Sequence, residues 1–528
     1  MYRAVAVLGS LLVVCSVSAR AADCATAAKV QVPHTTITAA QLIAAGEAAK
    51  LPEVDAGLKQ RAQMMGGFME PTPPTPAFCR VRGVIRPAAT SDIKFEVWLP
   101  VSGWNERYWG VGNGGFAGYI AYPELLKSIA RGYATSSTDA GHALGPMSAV
   151  ALEDPERLKD FAERAIHLTA VAAKAIVAAQ YGRDARYSYF SGCSNGGRQA
   201  LIEAQRYPDD YDGILAGAPA AFFPAIPRNA WAARIVTADP RNALSPAKLR
   251  LLHRAALEQC DANDGLKDDL ISEPMQCRFD PSKLRCASTE TDQCLTEQQL
   301  STAQQLYSTM DAKQAYNDAL LPGTELGWTS VPLGAALSES WYGSVIYKDK
   351  PWHVQDFDAV RDVAIVRDQY GPLLNAASAD LSKLAASGGK VIIYTGMADT
   401  LVPANHTIRY VDSVRSTMGP AADKVLSLFM APGMGHCSGG NGFIFRNDGS
   451  GVDPASSADQ DLAAALQDWV EKGRAPEKIV AARLDTSTMP PRPTQVTRPM
   501  CAYPAVARWN GRGDKNDAAA YSCVAAKP

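Results

Sequence analysis

The sequence predicts an α/β fold, a mostly parallel sheet with helices on both faces, interrupted by a large insertion. Three observations predict it. Short apolar runs followed by helical patterns occur on both sides of residues 219–389, and such alternation needs crossover connections between parallel strands. The 528 residues, 47% hydrophobic and 20% charged, exceed one ordinary domain and suffice for a large core. Between 219 and 389 the text changes to polar, loop-like stretches containing Trp231, Trp328, Trp341 and Trp352. That segment reads as a lid capping the sheet, so the core divides into 22–218 and 390–528.

Residues 1–21 read as a signal peptide. Arg3 supplies the positive start, Ala4 to Val17 are apolar but short for a membrane span, and Ala19-Arg20-Ala21 offers a small-x-small cleavage site. The mature chain would begin near Ala22 or Asp23 and be secreted or periplasmic. A lipoprotein reading at Cys15 has bulky Val14 against it. No later run offers eighteen uninterrupted apolar residues, so no membrane span is expected. A net charge of −2 without a basic run argues against nucleic acid as a partner.

Thr38 to Met65 reads as helical, and 66–76 as a Pro-rich connector. Strands are expected at Arg80–Ile85, Phe95–Leu99, Arg107–Val111 and Tyr133–Thr138. A long amphipathic helix follows over Glu156–Tyr181, with Phe161, Ala165, Leu168, Ala172 and Ile176 on one face. Tyr187–Ser191 is a strand and Arg198–Arg206 a helix. After the insertion come strands Lys390–Thr395 and Lys424–Met430, then a helix over Ser457–Lys472.

Eleven cysteines are present, and ten remain beyond Cys15. An even count without any CxxC pair suggests disulfides in an exported chain rather than metal thiolates. Proximity favours Cys260–Cys277, Cys286–Cys294 and Cys501–Cys523.

Gly192-Cys193-Ser194-Asn195-Gly196 matches G-x-S-x-G between an apolar strand and a helix. Glycines belong at the flanks of so sharp a turn, which lifts a serine hydroxyl above the sheet and aims helix N–H groups at a developing oxyanion. The bland alternative is a chance glycine turn, which the strand–turn–helix context disfavours. A serine nucleophile needs a base and an acid, which follow it in this order of motifs. Asp399 lies just past the strand Lys390–Thr395, and His436 follows the next strand in Pro432-Gly433-Met434-Gly435-His436. Asp399 would orient the imidazole and His436 would take the Ser194 proton. His142 is the serious competitor but precedes the serine, and His406 reads as structural. If Ser194 and His436 meet, their neighbours Cys193 and Cys437 are close enough to bridge.

With these residues the sequence resembles the tannase/feruloyl esterase family. The resemblance rests on the Cys193-Ser194 and His436-Cys437 pairs with Asp399 between them. It also rests on the loop Trp109-Gly110-Val111-Gly112-Asn113-Gly114-Gly115-Phe116 and on Pro322-Gly323-Thr324-Glu325. It covers nearly the whole mature chain. It implies an α/β-hydrolase core with a large lid, and hydrolysis of aromatic carboxylic esters, with a small aromatic ester as substrate. Feruloyl or other hydroxycinnamoyl esters, galloyl esters and terephthalate monoesters are the rival substrates. A non-catalytic phenolic-binding protein is the rival from another class, against which the intact Ser194, Asp399 and His436 argue. The resemblance also implies the pairing Cys24–Cys79. The oxyanion hole is expected from the N–H of Asn195 and from Gly114 or Gly115; Asn195 departs from the acidic residue of some relatives. Asp261, Asp264 and Asp268, with the carbonyls of Leu266 and Leu270, could form a hard oxygen shell or a solvated turn. The resemblance favours a structural Ca²⁺ there, with no organic cofactor. The lid tryptophans and Tyr342 are expected to contribute an aromatic acyl pocket, with some of them forming lid core instead.

Overall fold

A nine-stranded sheet organises the chain. Its strands are β1 (Thr35–Ile43), β2 (Phe78–Ile85), β3 (Ile93–Pro100), β4 (Arg107–Val111), β5 (Ala134–Thr138), β6 (Tyr187–Cys193), β7 (Gly213–Gly217), β8 (Lys390–Gly396) and β9 (Leu426–Ala431). The computed structural model describes residues 24–64, 71–223, 225–310, 319–348, 350–445, 457–487 and 491–526. The segment read as a signal peptide, with Cys15, lies outside the described residues. The spatial order is β1-β2-β3-β5-β4-β6-β7-β8-β9. The first pairings, up to β3 with β5, are antiparallel. From β5 onward every neighbour is parallel. This is the α/β-hydrolase architecture, with an antiparallel edge leading into a parallel core.

The parallel strands are buried on both faces, so their apolar residues run nearly unbroken instead of alternating with polar ones. The two-residue period still assigns faces. Ile214, Ala216, Val391 and Ile393 join the core formed with helices Ala165–Tyr181 and Asn195–Arg206. Leu215 and Ile392 point oppositely, into the core formed with helices Tyr122–Ala130 and Leu462–Lys472.

Four elements differ from the sequence reading. Thr38–Met65 is not one helix: Thr35–Ile43 is an edge strand pairing antiparallel with β2, a 3-10 turn follows at Ala48–Lys50, and the α-helix is Pro52–Met64. The alanines favour a helix locally, but a ladder along the exposed edge of β2 satisfies more backbone groups. The long helix at 155–181 contains a π-helical turn over Asp160–Arg164. The late helix begins at Leu462, where Asp461 Oδ1 accepts from the amides of Ala463 and Ala464 at 2.8 and 3.0 Å. The strand β7, which the sequence reading does not include, has only the sequence GILAG.

Residues 218–389 enter after β7 and return to its neighbour β8. The described residues among them hold the helices Ala225–Thr237, Pro246–Cys260, Glu297–Leu306 and Val331–Trp341 beside loop-like stretches such as 265–273. Part of this insertion packs on itself through Leu249, Leu252, Leu300 and Trp328. Trp341, Tyr342 and Trp352 instead join the main core cluster, so the insertion is fastened to the sheet. The chain ends in a three-stranded sheet, β10 (Phe443–Ile444), β11 (Lys478–Asp485) and β12 (Arg492–Cys501), and a hairpin, β13 (Ala505–Trp509) and β14 (Tyr521–Ala525).

All five disulfides named above form: Cys24–Cys79, Cys193–Cys437, Cys260–Cys277, Cys286–Cys294 and Cys501–Cys523. Among the described residues no helix is long and apolar enough to cross a membrane.

Candidate active site

Ser194 stands between β6 and the helix Asn195–Arg206, with φ 62° and ψ −119°. A side chain at positive φ is strained and persists only where its surroundings over-determine it. Here the Ser194 N–H donates to the Gly217 carbonyl at 3.0 Å, and its own carbonyl accepts from Arg198 and Ala220. The glycine requirement falls slightly differently from the motif. A Cβ on Gly192 would lie 2.6 Å from the backbone of Gly196, and one on Gly197 would lie 2.3 Å from the Gly217 carbonyl oxygen. At Gly196 the closest approach is 3.3 Å, so that position is tight rather than closed.

The glycine loop after β4 is held against this turn through its own Asn113 and through Gln199 and Tyr119, which the sequence reading did not single out. The Asn113 amide donates to Gln199 Oε1 at 2.9 Å, and Asn113 Nδ2 donates to the carbonyls of Tyr119 and Thr138 at 2.7 and 2.8 Å. The Gly114 amide donates to the Tyr119 hydroxyl at 2.8 Å. Gly115 has φ +56°, and a Cβ there would lie 2.2 Å from the Pro146 carbonyl oxygen. Arg198, fully buried, donates to Asn195 Oδ1 at 2.8 Å and to the Phe161 and Ala162 carbonyls of the π-helical turn. Burial pushes its pKa down to about 9, so it remains a cation at neutral pH. An arginine and a glutamine one turn into a helix that follows G-x-S-x-G were the available signal.

His142 sits beneath the same loop. Its Nε2–H donates to the Phe116 carbonyl at 2.7 Å, so its Nδ1 carries the lone pair that faces the Leu144 amide. Burial lowers its pKa and keeps it neutral. His406 lies on the helix Ala404–Met418, with its ring edge-on to Phe222 at 6.1 Å, and burial pushes its pKa down to about 3.

Asp399 and His436 meet. His436 Nδ1 lies 2.7 Å from Asp399 Oδ2, while Asp399 Oδ1 accepts from the amides of Leu401 and Val402, both at 2.9 Å. Burial lowers the His436 pKa, but the charge of Asp399 and its hydrogen bond outweigh this and raise it above the usual 6.5. The two carrier loops are tied together, because Met397 N–H donates to the Ala431 carbonyl and Ala398 N–H to the Met434 carbonyl. The Cys193–Cys437 bond spans 5.9 Å between Cα atoms and joins turns 244 residues apart. Ser194 and His436 are the neighbours of its two ends.

The acidic loop 261–270 is internally bonded. Asp261 Oδ1 accepts from Asp268 N–H and Oδ2 from Asp269 N–H, at 3.1 and 3.0 Å. Asp264 Oδ1 accepts from Leu266 N–H, and Asp268 Oδ2 pairs with Arg498 at 2.6 Å. Among the described residues no three acidic, histidine or cysteine side chains converge as a ready metal cluster. Asp268 Oδ1, however, is buried without a hydrogen-bond partner among the described residues.

Trp341 and Tyr342 fall on the lid-core side of the expectation. Tyr342 stacks on Trp352 at 4.4 Å, and Trp341 packs on Phe223 and on Phe116 of the glycine loop at 4.5 and 6.1 Å. Trp341 and Tyr342 are fully buried, so they form lid core, and Trp341 braces the loop from above rather than lining an open pocket.

A serine on a strained strand–helix turn, disulfide-linked to a histidine–aspartate pair on an α/β-hydrolase sheet, is the arrangement of a carboxylic ester hydrolase. Residues 79–332 and 343–524 match the family model described as tannase and feruloyl esterase, and the chain belongs to that family. It is 36% identical to an uncharacterized esterase of Xanthomonas campestris pv. campestris, over 99% of this chain and 94% of that one. It is 32% identical to the Aspergillus terreus protein named "Probable feruloyl esterase B-1", over 93% of each. The crystal structure of feruloyl esterase B from Aspergillus oryzae superposes with a TM-score of 0.83 at 29% identity, covering 95% of this chain and 100% of that one.

Proposed function

We propose that the protein is a secreted serine esterase of the feruloyl esterase type that cleaves small aromatic esters through an acyl-enzyme. The observation that carries the reading is the Cys193–Cys437 bond. It couples the strained Ser194 turn to the loop on which His436 holds a 2.7 Å contact to Asp399. With Nδ1–H committed to Asp399, the lone pair of His436 is on Nε2, the nitrogen available to a serine hydroxyl. Ser194 Oγ attacks the ester carbonyl as its proton passes to Nε2. The oxyanion is held by the N–H of Asn195 and by that of Gly115, since the Gly114 amide is committed to Tyr119. His436 then returns the proton to the leaving alcohol, and water activated by the same nitrogen releases the acid.

The same reading includes a structural calcium in the lid. Asp261, Asp264 and Asp268 with the Leu266 and Leu270 carbonyls would hold it. The donor set suits a hard cation, and the unpartnered Asp268 Oδ1 is an oxygen such an ion would satisfy. Its contribution would be stiffness, not bond breaking. The five disulfides fit an oxidising compartment, in keeping with removal of residues 1–21 on export.

The test is kcat/KM for methyl ferulate, methyl gallate and a terephthalate monoester, for wild type and Ser194→Ala. The expected result is preference for ferulate and loss of turnover in the variant. Wild-type rates in Ser194→Ala would overturn the serine mechanism, and a preference for either other ester would overturn the substrate assignment.

A further inference from the structure

Arg228 lies on the first insertion helix, Ala225–Thr237, and is 2% exposed. Its Nη1 donates at 2.9 Å to the carbonyl of Thr400, the residue after Asp399. Among the described residues its Nε and Nη2 have no hydrogen-bond partner. A buried guanidinium with unpaired donors is costly unless a nearby anion compensates it. Burial lowers its pKa to about 10, and Asp399 is the anion whose field acts in the other direction. The arginine therefore stays charged at neutral pH.

Through the Thr400 carbonyl, Arg228 is placed one residue from Asp399 without hydrogen-bonding its carboxylate. The Asp399 side chain is fully buried, with Oδ1 held by two backbone amides and Oδ2 by His436, and a buried cation stands on the side of the lid. His406, from the helix Ala404–Met418, is kept neutral by burial, and Arg409 on the same helix is a cation that acts on His406.

Resting on the serine-esterase reading above, we propose that Arg228 is a positioning residue that sets the pH range over which His436 works as a base. Its cation competes with the imidazolium for the field of Asp399, so His436 gives up its proton more readily than it would beside Asp399 alone. Its hydrogen bond to Thr400 also pins the turn whose amides orient the Asp399 carboxylate. No part of Arg228 needs to touch substrate, and the lid helix that carries it links lid docking to the chemistry below.

The test is the pH profile of kcat/KM on the best ester of the panel, for wild type, Arg228→Met, Arg228→Gln, Arg228→Lys and Ser194→Ala, with folding followed by circular dichroism. Removing the charge should move the acidic limb to higher pH by roughly one unit in the Met and Gln variants. The Lys variant should restore the wild-type limb. Gln keeps a donor for the Thr400 carbonyl and carries the test if the Met variant does not fold. Folded neutral variants whose limbs superpose on wild type, with Ser194→Ala inactive, would overturn the role of Arg228 alone. An active Ser194→Ala would instead overturn the reading on which it rests.

Discussion

Replacing Cys193 and Cys437 together by serine removes the covalent tie between the two turns without leaving a free thiol. The bond closes a loop of 244 residues. In the chain-entropy model, a loop that long restricts the unfolded chain by about 5.5 kcal/mol at 25 °C. The nested Cys260–Cys277 and Cys286–Cys294 bonds, spanning 17 and 8 residues, shorten the free path inside it. Because the dependence is logarithmic, they change the figure by only about 0.1 kcal/mol. For a chain of this length the loss corresponds to a melting temperature lower by about 5 °C, if unfolding is cooperative. Turnover should suffer separately: an ångström of drift between Ser194 and His436 is worth roughly 100-fold in kcat. Differential scanning calorimetry and steady-state kinetics on the double variant check both parts. A melting temperature within about 1 °C of wild type, with unchanged kcat, would refute the reasoning that this bond clamps the site.

Asp399→Asn should leave the fold intact and lower kcat by roughly 10⁴-fold, since the amide no longer fixes the tautomer or stabilises the imidazolium; single-turnover kinetics measure it. The acidic limb of wild-type kcat/KM should lie above pH 6.5, because Asp399 raises the His436 pKa and only the neutral ring accepts a proton. The same shift implies a stability contribution present in full below pH 6.5 and lost as pH rises through the raised value, which denaturant melts across that window report. Gly192→Ala should yield little folded protein, as its Cβ would fall 2.6 Å from the Gly196 backbone, whereas Gly196→Ala should fold with reduced activity. Adding EGTA should lower the melting temperature and calcium restore it, with kcat in the folded protein little changed; an unaltered melt would remove the calcium assignment.

The Ser194 turn and the meeting of Asp399 with His436 were more legible in the sequence than the packing around them. Ser194, Asp399 and His436 announce themselves because each sits at a strand end followed by glycine or a helix, a context written within about ten residues. The adjacent cysteines added a long-range constraint that few local motifs carry. What surrounds the serine was not legible: Asn113, Gln199, Tyr119 and Arg198 act through contacts across the chain, and nothing local marks their partners. The strand β7 escaped because only Ile214, Leu215 and Ala216 stand between its two glycines, too short an apolar run to mark a strand until both neighbours bury it. The edge strand β1 was misread because alanine-rich text favours a helix when the partner strand is unknown. The lid aromatics looked like a pocket for a related reason: a tryptophan's composition does not say whether it faces substrate or Phe116.

The central claim, that Ser194 is the nucleophile, is tested most directly by labelling the native protein with a fluorophosphonate and mapping the modified peptide by mass spectrometry. The account predicts stoichiometric modification at Ser194, complete loss of esterase activity in step with labelling, and no labelling of Ser194→Ala. Inactivation with the label on another residue, or full activity with Ser194 modified, would contradict it.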